Sequence, residues 1–179
     1  MTELGRIYDV RGRIRHRGGP GEPELHVLPG EVAVARAPAV VGTLLGSCVA
    51  VTVYDPVTRV GGLCHAMLPG GTAADGPLRY LDRALPFLLE AVADRGGSPG
   101  RLVFKAFGGA AVLGEEPTGA WDVGRRNVER LHELLGAWGV SLAGCDLGGR
   151  TGRRLRLHLD DGLVFVRAFG RTPLRQEAP

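Results

Sequence analysis

Lysine is almost missing from this 179-residue chain: Lys105 stands alone, and every other basic side chain apart from the histidines is arginine. That excess reads as compositional bias rather than as a surface built to hold phosphates. Cysteine is scarce and odd in number (Cys48, Cys64, Cys145), with no CxxC spacing. A disulfide framework and a zinc knuckle are therefore both disfavoured, and a reducing cytoplasm is the expected compartment. No apolar run approaches the roughly 20 residues of a membrane helix. Residues 1–21 lack the apolar stretch of a secretory signal, so neither a span nor an export signal is expected. Aromatic residues make up only 6% of the chain, which leaves no obvious aromatic docking patch. Phe107, beside Gly108-Gly109, reads as core packing at a strand end.

What is present is the composition of a globular domain, 44% hydrophobic and 23% charged, of a size that buries a real core. The net charge of +3 is concentrated at the start, where Arg6, Arg11, Arg13, Arg15 and Arg17 face only Glu3 and Asp9. The remainder is balanced, so nucleic-acid binding is not expected. Residues 1–24 carry Gly, Pro and Arg without periodicity and read as a flexible basic extension. Residues 25–170 read as one folded domain and 171–179 as a C-terminal tail.

Val49 to Tyr54, Val60 to Leu68, Leu102 to Phe107, Val140 to Leu147, Arg154 to Asp160 and Leu163 to Phe169 read as strands. In the fifth, Leu155, Leu157 and Leu159 alternate with Arg154, Arg156 and His158. Arg79 to Ala93 and Asn127 to Trp138 read as amphipathic helices, with Val128, Leu131, Leu135 and Trp138 of the second facing inward. Pro86 is expected to kink the first helix or delay its start. The sum is an α+β fold with mostly antiparallel strands and two principal helices.

The chemistry gathers in Thr43-Leu44-Leu45-Gly46-Ser47-Cys48 and in Cys64-His65. A two-residue turn at Pro56-Val57 would set Cys48 directly opposite His65, the arrangement of a thiolate–imidazolium pair. Pro-Val cannot form the primed turns such hairpins favour, so the register is open to a shift. Cys64 and His65 point to opposite faces, so only one can look at Cys48. The competing account of Cys48 is a small buried hydrophobe. Gly46 frees the backbone ahead of Cys48, whose own amide and that of Ser47 are candidate oxyanion donors. Ser47 is an alternative nucleophile, but no Gly-x-Ser-x-Gly elbow surrounds it. His26, His132 and His158 read as solvated, and Cys48, Cys64, His65 and Cys145 lack a recognisable metal spacing. Gly108-Gly109 and Gly148-Gly149 read as tight turns or close packing rather than phosphate loops.

The run Pro29-Gly30-Glu31 through Thr43-Leu44-Leu45-Gly46-Ser47-Cys48-Val49-Ala50-Val51 resembles the CheD family, chemoreceptor glutamine deamidases of bacterial and archaeal chemotaxis. The likeness continues through Asp55-Pro56, Gly61-Gly62, His65-Ala66-Met67-Leu68-Pro69 and Tyr80-Leu81-Asp82. Lys105-Ala106-Phe107-Gly108-Gly109-Ala110, Gly124-Arg125-Arg126-Asn127-Val128, Asp146-Leu147-Gly148-Gly149 and Arg153-Arg154 follow in family order, so that it spans roughly residues 27 to 168. The resemblance implies two packed sheets with helices outside, as in deamidating toxins. It implies a cysteine amidohydrolase that converts receptor glutamines to glutamate, with Cys48 as nucleophile, His65 as base and Thr43 as the third member. No cofactor or metal is implied. The partners would be the chemoreceptor cytoplasmic domain as substrate and a CheC-type phosphatase. The alternative is a non-catalytic binding module that regulates such a phosphatase.

Overall fold

The computed structural model describes residues 5–21, 24–71, 77–111 and 122–169, so Gly170 and the expected tail at 171–179 lie outside them. Eleven strands and two helices follow in order among these residues. They are β1 (Gly5–Tyr8), β2 (Ile14–Gly18), β3 (Leu25–His26), β4 (Val32–Arg36), β5 (Val40–Leu45), β6 (Val49–Asp55), β7 (Val60–Ala66) and α1 (Leu81–Asp94). Then come β8 (Val103–Gly108), α2 (Val123–Ala137), β9 (Leu142–Leu147), β10 (Gly152–His158) and β11 (Val164–Phe169). One sheet runs β2-β1-β4-β7-β6-β8-β9 and the other β11-β10-β5-β3. All neighbours are antiparallel except β8 with β9 and β3 with β5. The α+β class with two packed sheets is thus the observed architecture.

Period two sorts the core into two layers. From β6 and β7, Val49, Val51, Val53 and Cys64 face the helices, joining Leu81, Leu85, Leu88 and Leu131. Ala50 and Leu63 face the other way and meet Leu45, Leu155, Leu157 and Leu159 between the sheets. Phe107 is buried in this second layer, as expected for core packing. Helix α1 runs through Pro86. Helix α2 starts before Asn127, because the Asp122 carboxylate caps it by accepting from Arg125 N at 3.0 Å. Trp138 does not face inward: it is 40% exposed, since the helix closes at Ala137 and the chain turns out through Gly139.

The expectation for residues 1–24 is overturned over their described part. Residues 5–18 form the hairpin β1–β2, and β1 pairs with β4. Ile7 is 2% exposed and packs between the sheets. Arg13 grips Asp9 at 2.8 Å across the turn, and Arg15 reaches buried Glu31 at 2.6 Å. The arginines mark a charged edge strand, a common protection of an open sheet edge.

The hairpin register also differs. Asp55 pairs with Val60 and Ala50 with His65, so the loop has four residues rather than two. Asp55 builds it, accepting Val57 N at 2.9 Å on Oδ1 and Arg59 N at 2.8 Å on its carbonyl. Arg59 closes the loop at φ 53°. Cys48 therefore lies two places along from direct opposition to His65. A shift of two keeps both on the same face of the sheet.

Candidate active site

Cys48 sits just ahead of β6, where the chain leaves the four-stranded sheet at Leu45 and enters the seven-stranded sheet at Val49. It packs against the cluster between the sheets, on the side that His65 faces from β7. Cys64 points to the helices, fully buried, and burial pushes its thiol up to about 12. Cys145 is exposed on β9. Cys48 is thus the cysteine on the histidine's side of the sheet.

His65 is 1% exposed, and its backbone is fixed on both sides: His65 N donates to Glu31 O at 2.9 Å and Gly30 N donates to His65 O at 2.8 Å. Thr43 approaches its ring from the opposite sheet. Thr43 Oγ1 donates to Val27 O at 2.7 Å and lies 2.8 Å from His65 Nδ1. A threonine hydroxyl has one proton. With that proton on Val27 O, the contact to the ring requires Nδ1–H as donor. Nε2 is then the bare lone pair, and it has no hydrogen-bond partner among the described residues. The tautomer is thus the one a general base needs.

Burial pushes the His65 pKa down to about 4 and pushes the Cys48 thiol up. Both shifts favour the uncharged forms, a thiol and an imidazole, over a thiolate–imidazolium pair. The side chain in hydrogen-bond contact with the ring is the hydroxyl of Thr43, which carries no charge.

The Gly46-Ser47-Cys48 loop lies outside both ladders and is held through its carbonyls. Ala110 N donates to Gly46 O at 2.9 Å and Gly109 N donates to Cys48 O at 2.8 Å. Asn127 Nδ2 donates to Ser47 O at 3.0 Å. Gly108 and Gly109 adopt φ 104° and 69°, which bends the end of β8 back over the loop. A Cβ at position 108 would overlap the Cys48 carbonyl oxygen. That turn is itself latched, because Gly148 N donates to Gly108 O and Arg153 Nη2 to Gly148 O, both at 2.8 Å. Arg153 also holds Asp146 through Nε at 2.7 Å and Nη2 at 2.8 Å. The tight-turn reading of both glycine pairs holds. The support given by Asn127 was not legible, since Ser47 and Met67 are distant in sequence; the partners of Arg153 are within seven residues, and its part in the site comes from the pairing of Gly148 with Gly108.

His26 and His132 are exposed, and His158 stacks edge-on against Phe165 at 4.9 Å on the outer face of the four-stranded sheet. No described helix is long and apolar enough to cross a membrane.

The family model described as CheD chemotactic sensory transduction matches residues 67–168. A protein of Anaeromyxobacter dehalogenans, named a probable chemoreceptor glutamine deamidase CheD 1, is 41% identical over 150 residues, covering 84% of this chain and 87% of its own. One from Geobacter sulfurreducens, named a probable chemoreceptor glutamine deamidase CheD 2, is 39% identical over 153 residues, covering 86% and 94%. A third, from Methanococcus maripaludis, named a probable chemoreceptor glutamine deamidase CheD, is 41% identical over 145 residues, covering 80% and 94%. With a match across more than half the chain and relatives this similar over most of both lengths, the chain belongs to the CheD family.

Proposed function

We propose that this chain is a chemoreceptor glutamine deamidase, acting in the cytoplasm through Cys48, His65 and Thr43. The observation that carries the reading is the Thr43–His65 contact of 2.8 Å, with the threonine proton committed to Val27 O. It leaves a bare Nε2 on the side of the sheet where Cys48 waits. The receptor's cytoplasmic domain is the substrate and a CheC-type phosphatase the second partner.

The neutral resting pair sets the order of events. As the glutamine carboxamide meets Cys48, the thiol proton passes to His65 Nε2 while Sγ bonds to the carbonyl carbon. The carbonyl oxygen becomes an oxyanion, for which the Ser47 and Cys48 amides are the candidate donors. The imidazolium, stabilised through Nδ1–H by Thr43, returns its proton to the departing nitrogen and ammonia leaves. Water then attacks the thioester, giving its proton to Nε2. Collapse releases glutamate, and the thiolate regains a proton from the imidazolium. No step draws on Ser47 Oγ or Cys64.

The test is intact-mass spectrometry of a chemoreceptor cytoplasmic fragment from the same organism, incubated with wild type or Cys48→Ala. A deamidation mass gain with ammonia release for wild type alone is expected. A gain that survives Cys48→Ala would move the chemistry elsewhere. No gain with either protein would replace the enzyme reading with that of a phosphatase-binding module.

A further inference from the structure

Asn127 lies on α2, is 0% exposed, and has both amide protons committed to carbonyls. Nδ2 donates to Ser47 O at 3.0 Å and to Met67 O at 3.1 Å. Ser47 immediately precedes Cys48, and Met67 lies two residues beyond His65. One planar amide thus ties the nucleophile's loop to the end of the strand that bears the histidine. Asn127 Oδ1 has no partner among the described residues. A buried unpaired acceptor costs stability, so the side chain is a poor choice for packing alone.

The geometry points to Asn127 as the positioning residue for the Cys48 oxyanion donor. This deepens the deamidase reading and rests on it. A trans peptide is planar, so the carbonyl of one residue and the amide N–H of the next point in opposite directions. The Ser47 carbonyl and the Cys48 N–H share one such plane. Drawing the carbonyl toward α2 therefore turns the Cys48 N–H away from α2. The neighbouring planes are fixed in the same sense by main-chain donors, Ala110 N on Gly46 O and Gly109 N on Cys48 O. Of the three ties, the one on the Ser47–Cys48 plane is the side-chain donor. Neither sheet ladder reaches this loop, because β5 stops at Leu45 and β6 begins at Val49. Preorganisation of the donor thus depends on a residue nearly eighty positions away that touches neither substrate nor reacting atoms.

The test separates an oxyanion effect from a general loss of structure. Attack on a carboxamide needs the donor, whereas alkylation of Cys48 by iodoacetamide displaces iodide and forms no oxyanion. Removing one oxyanion donor typically costs about 10²–10³ in kcat, and Asn127→Ala should lose a substantial part of that. KM for the receptor fragment and the Cys48 alkylation rate should stay near wild type. Asn127→Asp, which keeps the shape but loses the donors, should show the same split. Equal loss in deamidation and alkylation, full retention of kcat, or failure of both variants to fold would each overturn the proposal. A wild type that is alkylated at Cys48 but deamidates nothing would overturn the deamidase reading and this one together. An active wild type with unaffected variants would overturn this one alone.

Discussion

Thr43 and His65 belong to different sheets, and the 2.8 Å contact between them crosses the interface where the two sheets pack. The orientation of the proposed base is therefore a property of sheet packing rather than of one loop. Val27, just after β3, completes the arrangement by taking the threonine proton at 2.7 Å.

Thr43→Val keeps the shape but removes the acceptor for Nδ1–H, leaving a buried donor unpaired and the tautomer unfixed. The expected result is a fall in kcat on the order of 10²-fold, within the range spanned by general acid–base catalysis. Thr43→Ser should retain most of the activity. Steady-state deamidation of a receptor fragment reads both, and equal activity of the valine and serine variants would remove Thr43 from the mechanism.

With His65 pushed down to about 4 and Cys48 pushed up, kcat/KM should stay flat where an ordinary imidazole would protonate. A profile from about pH 5 to pH 8 should show no limb near 6.5. Stability carries the same signature. Between about 4 and 6.5 the unfolded imidazole binds a proton that the folded one refuses, so stability falls as pH drops through that window. Asp55, held below the usual carboxylate range by Arg101, adds its own loss only below about 3.8. Denaturation midpoints across the acid range check both parts.

Gly108→Ala should damage the site more than the fold. The residue sits at φ 104°, and a methyl there would press on the Cys48 carbonyl oxygen. The strain is of order 1–3 kcal/mol. A large kcat loss with a modest fall in thermal midpoint is expected, and an alanine variant of full activity would refute the clamp.

Arg15→Ala leaves the Glu31 carboxylate, 7% exposed, with its contact from Leu28 N at 2.9 Å but without the guanidinium. The ion pair is half open to water on the arginine side, so the expected cost is about 1–2 kcal/mol. Activity should fall too, because Glu31 O anchors His65 N. Chemical denaturation and deamidation measured together test it. Wild-type values in both would return the first strands to the status of an appendage.

The central strands and both helices could be read from period and turn chemistry, because β6, β7, β8 and β10 carry continuous or alternating apolar patterns. The opening hairpin could not. Ile7 is its one fully buried large side chain, with Tyr8 packed half-buried against Phe87, while Arg13, Arg15 and Arg17 gave the charge density of a tail. Their order comes from pairing with β4 and from Glu31, neither of which is local. The Cys48–His65 hairpin was legible in its face but not its register. The loop length depends on the Asp55 carboxylate accepting from its own turn, which a count of residues does not reveal. Asn127 reads in sequence as an ordinary polar helix residue, and only the packing of α2 over the Ser47 carbonyl gives it an assignment.

The burial that pushes the Cys48 thiol up also bears on how the sulfur meets oxidants and alkylators. Oxidation and stray alkylation follow thiolate character and exposure, and burial denies this sulfur much of both. In the proposed mechanism, a nucleophile that ionises only as a carboxamide arrives would stay quiet toward peroxide and other electrophiles.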